Sequence, residues 1–225
     1  MAATMDIEKA RSNMIMRQIR PWEVLDQSVL NLLSVVKRED FVPEKHSQLA
    51  FADIEIPLGD GSHPGQIMLS PKVEARLLQA LAVKNTDKVL EVGTGSGYMA
   101  ALLAAKAEFV YSVEIDPQLV ETARANLKRA DIVNVSVDLG DAACRWSLYA
   151  PYDVIIISAS VSVLPAGFLE DLKIGGRMVA IVGDAPTMQA RLITRTDDHA
   201  FNTIYLFEVA VPPLVNSTMN SKFVF

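Results

Sequence analysis

Two rhythms of apolar and polar positions divide the chain near residue 87. In the first part apolar residues recur at helical spacing. Ile7, Met14, Ile15 and Ile19 do so among charges between Met5 and Ile19, and the pattern stops at Arg20-Pro21. A second helix is expected from Gln27 to Val36, with Asp26 as N-cap and Val29, Leu30, Leu32, Leu33 and Val36 apolar. It ends in the charged run Lys37-Arg38-Glu39-Asp40, which reads as a solvated helix end. A third runs through Val73, Leu77, Leu78 and Leu81, with Ser70 as N-cap and Pro71 in its first turn. Between them, Phe41 to Pro71 carries prolines and the stretch Gly59-Asp60-Gly61-Ser62-His63-Pro64-Gly65, so it predicts irregular chain laid over the rest. Loops of that length are usually functional or disordered.

From Lys88 the pattern changes to short apolar runs separated by helical stretches. Val89 to Val92, Val110 to Val113, Val133 to Val137, Val154 to Ser158 and Arg177 to Val182 read as strands. Helices are expected from Tyr98, from Pro117 and around Phe168 to Leu172, the last leading through Gly175-Gly176. Such alternation implies a parallel sheet covered on both faces. Gln189 to Thr196 and Phe201 to Val209, joined by Asp197-Asp198-His199, suggest an antiparallel hairpin at the sheet edge. The expected class is α/β: a Rossmann-like, doubly wound, mostly parallel seven-stranded sheet with a C-terminal antiparallel hairpin and an N-terminal helical extension. No composition break splits residues 1–225, so one domain is expected, with 1–87 as helices and acceptor-side loop and 88–225 as sheet core.

Composition narrows the partners. Half of the 225 residues are hydrophobic, enough for a large core, and the net charge of −6 with scattered basic residues lacks a nucleic-acid footprint. The single cysteine, Cys144, cannot form an internal disulfide, and the opening MAATMDIEKARSN has neither region of a signal peptide. A cytoplasmic location is expected. Apolar runs such as Val154 to Ile157 are far short of the roughly 20 residues that span a bilayer, so no membrane partner is expected.

The candidate chemistry begins at Glu91-Val92-Gly93-Thr94-Gly95-Ser96-Gly97, where a strand opens directly into a helix. Bare amides and a positive helix end then face the mouth of the sheet, where ligands bind in open α/β folds. A tight turn without ligand is the plain alternative. Dinucleotide binding is the sharper one, but its fingerprint wants a further glycine where Tyr98 stands. Glu114, ending the next strand, can accept hydrogen bonds from both hydroxyls of a ribose. Asp116 beside Pro117 reads as a helix start, and Gly140-Asp141-Ala142 could set a carboxylate or backbone against an adenine amine. His46 and His63 read as loop histidines without metal-ligand spacing, Cys144 as a packed small residue, and the nine methionines as core filler.

These residues, with Tyr152-Asp153-Val154-Ile155 and Leu172 to Arg177, resemble the successive motifs of class I S-adenosylmethionine-dependent methyltransferases. More narrowly the chain resembles the protein-L-isoaspartate O-methyltransferases, through Arg38 to Glu44, Ala50 to Gly59, Gly93 to Tyr98 and Val211-Pro212-Pro213-Leu214. The resemblance implies that Gly93, Thr94, Gly95, Ser96 and Gly97 bracket the methionine half of S-adenosylmethionine, with Glu91 near its amino group. It further implies Glu114 on the ribose, Asp141 and Ala142 against the adenine, and Ser158-Ala159 bordering the methyl-transfer site. S-adenosylhomocysteine would be the product, and an isoaspartyl-containing peptide or protein the acceptor, which makes the activity one of protein repair.

The family's acceptor loop reads Gly-Gln-Thr-Ile-Ser, one variable residue, then Pro. Here Gly65-Gln66 and Pro71 bracket Ile67-Met68-Leu69-Ser70, so both hydroxyl positions are apolar, and Ser70 is the remaining candidate catalytic hydroxyl. Methyl transfer to a carboxylate needs no general base, because the nucleophile is already ionised. The change therefore bears on the acceptor. A related methyltransferase with an unidentified, smaller and more apolar acceptor, and a non-catalytic S-adenosylmethionine-binding protein, are the alternatives.

Overall fold

Local chemistry sets the element boundaries. In the computed structural model, which describes residues 6–59 and 65–218, α1 (Ile7–Met14) starts where the Asp6 carboxylate accepts from the Lys9 amide at 3.1 Å. That bond satisfies one of the free first-turn donors of a helix. The chain then tightens and loosens, as a π-helical turn over Ile15–Ile19 and a 3-10 turn over Arg20–Trp22. The single helix expected from Met5 to Ile19 is thus a short α-helix with a π-helical continuation, and Met5 lies outside the described residues. α2 (Gln27–Val35) is capped by Asp26, which accepts from Ser28 at 2.7 Å.

The irregular segment before the third helix is organised by 3-10 turns at Arg38–Asp40 and Glu44–Leu49 and by a two-residue hairpin, β1 (Ile56–Pro57) with β2 (Ile67–Met68). α3 (Pro71–Leu81) follows. Ser70 occupies its cap position, yet the hydroxyl makes no capping bond. Pro71 and the Ser70 carbonyl, which accepts from the Val73 and Glu74 amides, start the helix instead.

Beyond α3 come β3 (Lys88–Val92), α4 (Tyr98–Ala104), β4 (Phe109–Glu114), α5 (Pro117–Arg129), β5 (Val135–Leu139), β6 (Tyr152–Val161), α6 (Ala166–Glu170), β7 (Leu172–Asp184), β8 (Thr187–Asp197) and β9 (Ala200–Glu208). The sheet order is β5-β4-β3-β6-β7-β8-β9, parallel through β7 and antiparallel over the last two strands. Several boundaries differ from expectation. Val133 is 84 % exposed and β5 starts two residues later. β6 runs longer at both ends. β7 begins at Leu172, where a helix was expected, because Gly175 at φ +82° and Gly176 let the strand bend and resume pairing at Arg177.

A strand's period of two turns the continuous apolar runs into two cores. Val89, Val154, Ile156, Val179 and Ile181 pack with α1 to α5 on one face. Leu90, Val92, Ile155, Ile157, Met178 and Ala180 pack on the other with Phe168 of α6, Tyr152 and Val161. The chain leaves β3 toward β4 and β5, then returns to β6 on β3's other side. The carboxyl ends of β3 and β6 therefore flank the crevice where neighbouring connections diverge.

Candidate functional site

Between β3 and α4 the backbone passes three glycines at positive φ: Gly93 at +88°, Gly95 at +54° and Gly97 at +85°. Space enforces the choice at two of them. A Cβ on Gly95 would lie 3.0 Å from Leu58 Cδ1, and one on Gly97 3.3 Å from Leu127 Cγ. The loop is pinned from beneath. The Gly93 amide donates to the Val113 carbonyl at 2.9 Å, and Asn126 Nδ2 to the Ser96 carbonyl at 2.9 Å. Thr94 and Ser96 are buried, with Thr94 Oγ1 2.6 Å from Ser112 Oγ. Glu114 closes the loop's outer side: one carboxylate oxygen accepts from the Gly95 amide at 2.9 Å, the other from the Ile115 and Asp116 amides.

Beneath the loop lies a buried polar cluster. Glu91 is wholly buried; its Oε2 accepts from Ser112 Oγ at 2.6 Å, and its Oε1 has no partner. Burial pushes its pKa up to about 8, with the Glu114 and Glu74 carboxylates adding to the rise and the Ser112 hydrogen bond opposing it. Arg38 is also fully buried and pairs with Glu74 of α3, so the charged run 37–40 is not the solvated helix end it resembled. A second Arg38 nitrogen donates to the Leu69 carbonyl at 2.7 Å, and its guanidinium lies 5.4 Å from the Tyr98 ring centroid. Burial raises Glu74 to about 7 against the pull of Arg38, and raises Tyr98 as well. Position alone would have hidden Arg38, because its partners are 31 and 36 residues away.

Ser158 of β6 stands beside the glycine loop. Val92 pairs with Ile157, and the Ser158 Cβ is 3.8 Å from where a Gly93 Cβ would sit. At the end of β5 the Gly140 amide donates to the Glu114 carbonyl at 2.9 Å. Asp141 is exposed there and accepts from the Ala143 amide and Asn216 Nδ2, while Ala142 is buried. Glu91, Gly93 to Gly97, Glu114 and Ser158 thus meet at one crevice, with Asp141 and Ala142 on its flank. Trp146 was not anticipated: its ring packs against Gly140, 2.5 Å from a Cβ position there.

The hairpin β1–β2 lies over the glycine loop, with the Ile67 carbonyl 3.9 Å from the Gly95 Cβ position. Gln66 Nε2 donates to Asp116 Oδ2 at 2.6 Å, and Asp116 Oδ1 caps α5 through the Gln118 and Leu119 amides. Of the apolar residues in the acceptor segment, Met68 and Leu69 are 3 % and 5 % exposed and belong to the core. Leu69 is therefore no wall of an acceptor pocket, and Ile67 alone is half-buried. Ser70 is buried at the foot of α3. Cys144 is exposed rather than packed, and His63 lies outside the described residues. Among the described residues no cluster of histidine, cysteine and carboxylate side chains could hold a metal. A groove of about 590 Å³ runs from Leu58 and Ser96 past Phe41 and Pro43 to Arg129.

A switch-point glycine loop, an acid ending the next strand and a three-strand C-terminal meander define a Rossmann-like methyltransferase fold. A solved protein-L-isoaspartate O-methyltransferase superposes with a TM-score of 0.80 over 95 % of this chain and 67 % of its own, at 24 % identity. A Plasmodium falciparum protein assigned to the same activity, solved in complex with S-adenosyl-L-homocysteine, gives 0.75 over 94 % and 99 %, at 20 % identity. The family model described as protein-L-isoaspartate(D-aspartate) O-methyltransferase matches residues 9–219. Relatives named protein-L-isoaspartate O-methyltransferase, from Marinobacter nauticus and Koribacter versatilis, are each 36 % identical. The matches cover 93 % and 92 % of this chain and 94 % and 91 % of theirs. The chain belongs to the protein-L-isoaspartate O-methyltransferase family.

Proposed function

We propose that this protein transfers a methyl group from S-adenosylmethionine to the side-chain-displaced carboxylate of an isoaspartyl residue in a peptide or protein, in the cytoplasm. The observation that carries the reading is the crevice between β3 and β6, set in a chain that matches the family from residue 9 to 219. Its residues fit the cofactor. The loop turns at positive φ through Gly93, Gly95 and Gly97, its amides satisfied by Val113, Glu114 and Thr94, and it leaves open space at Gly93, with Thr94 and Ser96 tucked beneath. Glu91 Oε1 is a buried acceptor in need of a donor, which the cofactor's ammonium group would be. Glu114 would take the ribose hydroxyls, and Asp141 and Ala142 would flank the adenine.

The bound cofactor would supply a methyl group activated by sulfonium charge. The protein's part is to orient the acceptor and keep water out, since a carboxylate needs no deprotonation. The hairpin over Gly95 and the buried polar floor suit both tasks. Among the described residues no helix is long and apolar enough to cross a membrane, and the acidic balance offers little to nucleic acid. An apolar acceptor is the weaker reading because it rests on Ile67 alone once Leu69 is in the core.

The test is incubation with methyl-labelled S-adenosylmethionine and paired peptides that differ only in an isoaspartyl or aspartyl residue. A base-labile methyl ester on the isoaspartyl peptide alone is expected. No ester above background on either peptide overturns the reading.

A further inference from the structure

Ser158 carries a polar atom that the fold leaves without a partner. Its Oγ is buried and makes no hydrogen bond. Buried hydroxyls are nearly always paired, and an unpaired one costs stability. Nearby hydroxyls on the same strand are engaged: Ser160 Oγ donates to the Val211 carbonyl at 3.0 Å, and Ser162 Oγ to Asp184. The backbone around Ser158 is irregular. Pairing between β6 and β7 runs to Ile156 with Val179 and resumes at Ser160 with Ile181, so three residues of β6 face one of β7. Bulges of this kind re-aim side chains beside functional sites. The strand is nevertheless held beyond the bulge, where the Ser160 amide donates to the Pro212 carbonyl and the Leu214 amide to the Ser160 carbonyl.

Ser158 faces the glycine loop: its Cβ lies 3.8 Å from where a Gly93 Cβ would sit. An incoming carboxylate there meets few donors. Glu91 and Glu114 present acceptor oxygens. Thr94 is tied to Ser112, and Gln66 to Asp116. Ile67, Met68 and Leu69 bring no side-chain donor. Ser158 Oγ, buried and unpaired beside Gly93, has a proton to give.

We infer that the Ser158 hydroxyl binds the acceptor carboxylate and is a catalytic residue of this protein; the inference rests on the methyl-transfer reading above. The carboxylate has two oxygens with separate tasks. One forms the new C–O bond as the methyl–sulfur bond breaks, its electron pair passing to carbon and the old pair to sulfur. The other accepts from Ser158. The serine keeps its proton throughout, since donating to the attacking oxygen would blunt the nucleophile.

Ser158→Ala and Ser158→Thr separate this role from a structural one. Acceptor KM for an isoaspartyl peptide, the dissociation constant for S-adenosylhomocysteine by calorimetry, and the melting temperature are measured on each. For Ser158→Ala we expect acceptor KM to rise about 10- to 100-fold, the range for losing one hydrogen bond to a charged group. Cofactor-product affinity should stay within about twofold, and melting should not fall, because the hydroxyl removed has no partner in the protein. Ser158→Thr should recover most of the loss. Unchanged acceptor KM in Ser158→Ala, or an equal loss of S-adenosylhomocysteine affinity, overturns the inference while leaving methyl transfer intact. Absence of ester with the unaltered protein is the separate failure of the functional reading, and it overturns both.

Discussion

Replacing Arg38 by Met tests the buried floor of the site most directly. Arg38 and Glu74 are 0 % and 3 % exposed and paired with one another. Methionine keeps much of the volume and removes the charge. Glu74 is then left buried without a cation, and the Leu69 carbonyl without its donor. Breaking one side of a buried pair costs about 3–5 kcal/mol. For a chain of this size each kcal/mol lowers melting by about 2–4 °C, so a fall of about 6–20 °C is expected at pH 7. Glu74 can limit the damage by taking a proton, which its raised pKa of about 7 already favours. The deficit should therefore shrink toward pH 5. The double variant Arg38→Met/Glu74→Leu removes both charges and should melt within a few degrees of the unaltered protein or above it. Calorimetric melts of the four combinations, without cofactor, decide the matter. A single variant as stable as the parent, or a double variant as unstable as the single, would refute the assignment of a buried, mutually dependent pair.

Three further outcomes follow from the same geometry. Glu91 has its folded pKa at about 8, above its ordinary value of 4.5, so the folded protein holds that proton more tightly than the unfolded chain. Its contribution is fully present below about pH 4.5 and is lost as pH rises through about 8. Urea midpoints of Glu91→Gln should decline less steeply than the parent's across that window, and parallel profiles would contradict the burial argument. Gly95→Ala forces a side chain onto a backbone at φ +54° and against Leu58. It should weaken S-adenosylhomocysteine binding at least about tenfold and cost about 1–3 kcal/mol of stability, read by calorimetry and melting. Asp116→Ala removes the α5 cap and the anchor of Gln66. Urea denaturation should show a loss of about 0.5–2 kcal/mol, and faster amide exchange at Ile67 and Met68 is expected once the hairpin is untied.

Along the chain itself, much of this molecule could be read from neighbour relations. Alternating apolar runs and helical stretches specified the parallel sheet. Asp26 and Asp116 marked helix starts, and the triplet Gly93, Gly95, Gly97 with Glu114 marked the crevice, because turns, caps and strand periodicity are set by residues within a few positions of each other. What that reading lacked was contact between distant segments. Arg38 and Glu39 look like a solvated helix end until Glu74, Leu69 and Arg11 close around them. Leu69 looks like an altered pocket wall until α3 packs it into the core. Cys144 looks like a packing residue and is exposed. The family resemblance sets Ser158 at the border of the methyl-transfer site, but only the folded chain leaves its hydroxyl unpaired beside Gly93. Local patterns determined where the chain turns and which face of each strand is apolar. Tertiary packing alone decided which polar groups are buried, with whom they pair, and which are left without a partner, because desolvation depends on every segment that covers a group, whatever its distance along the chain.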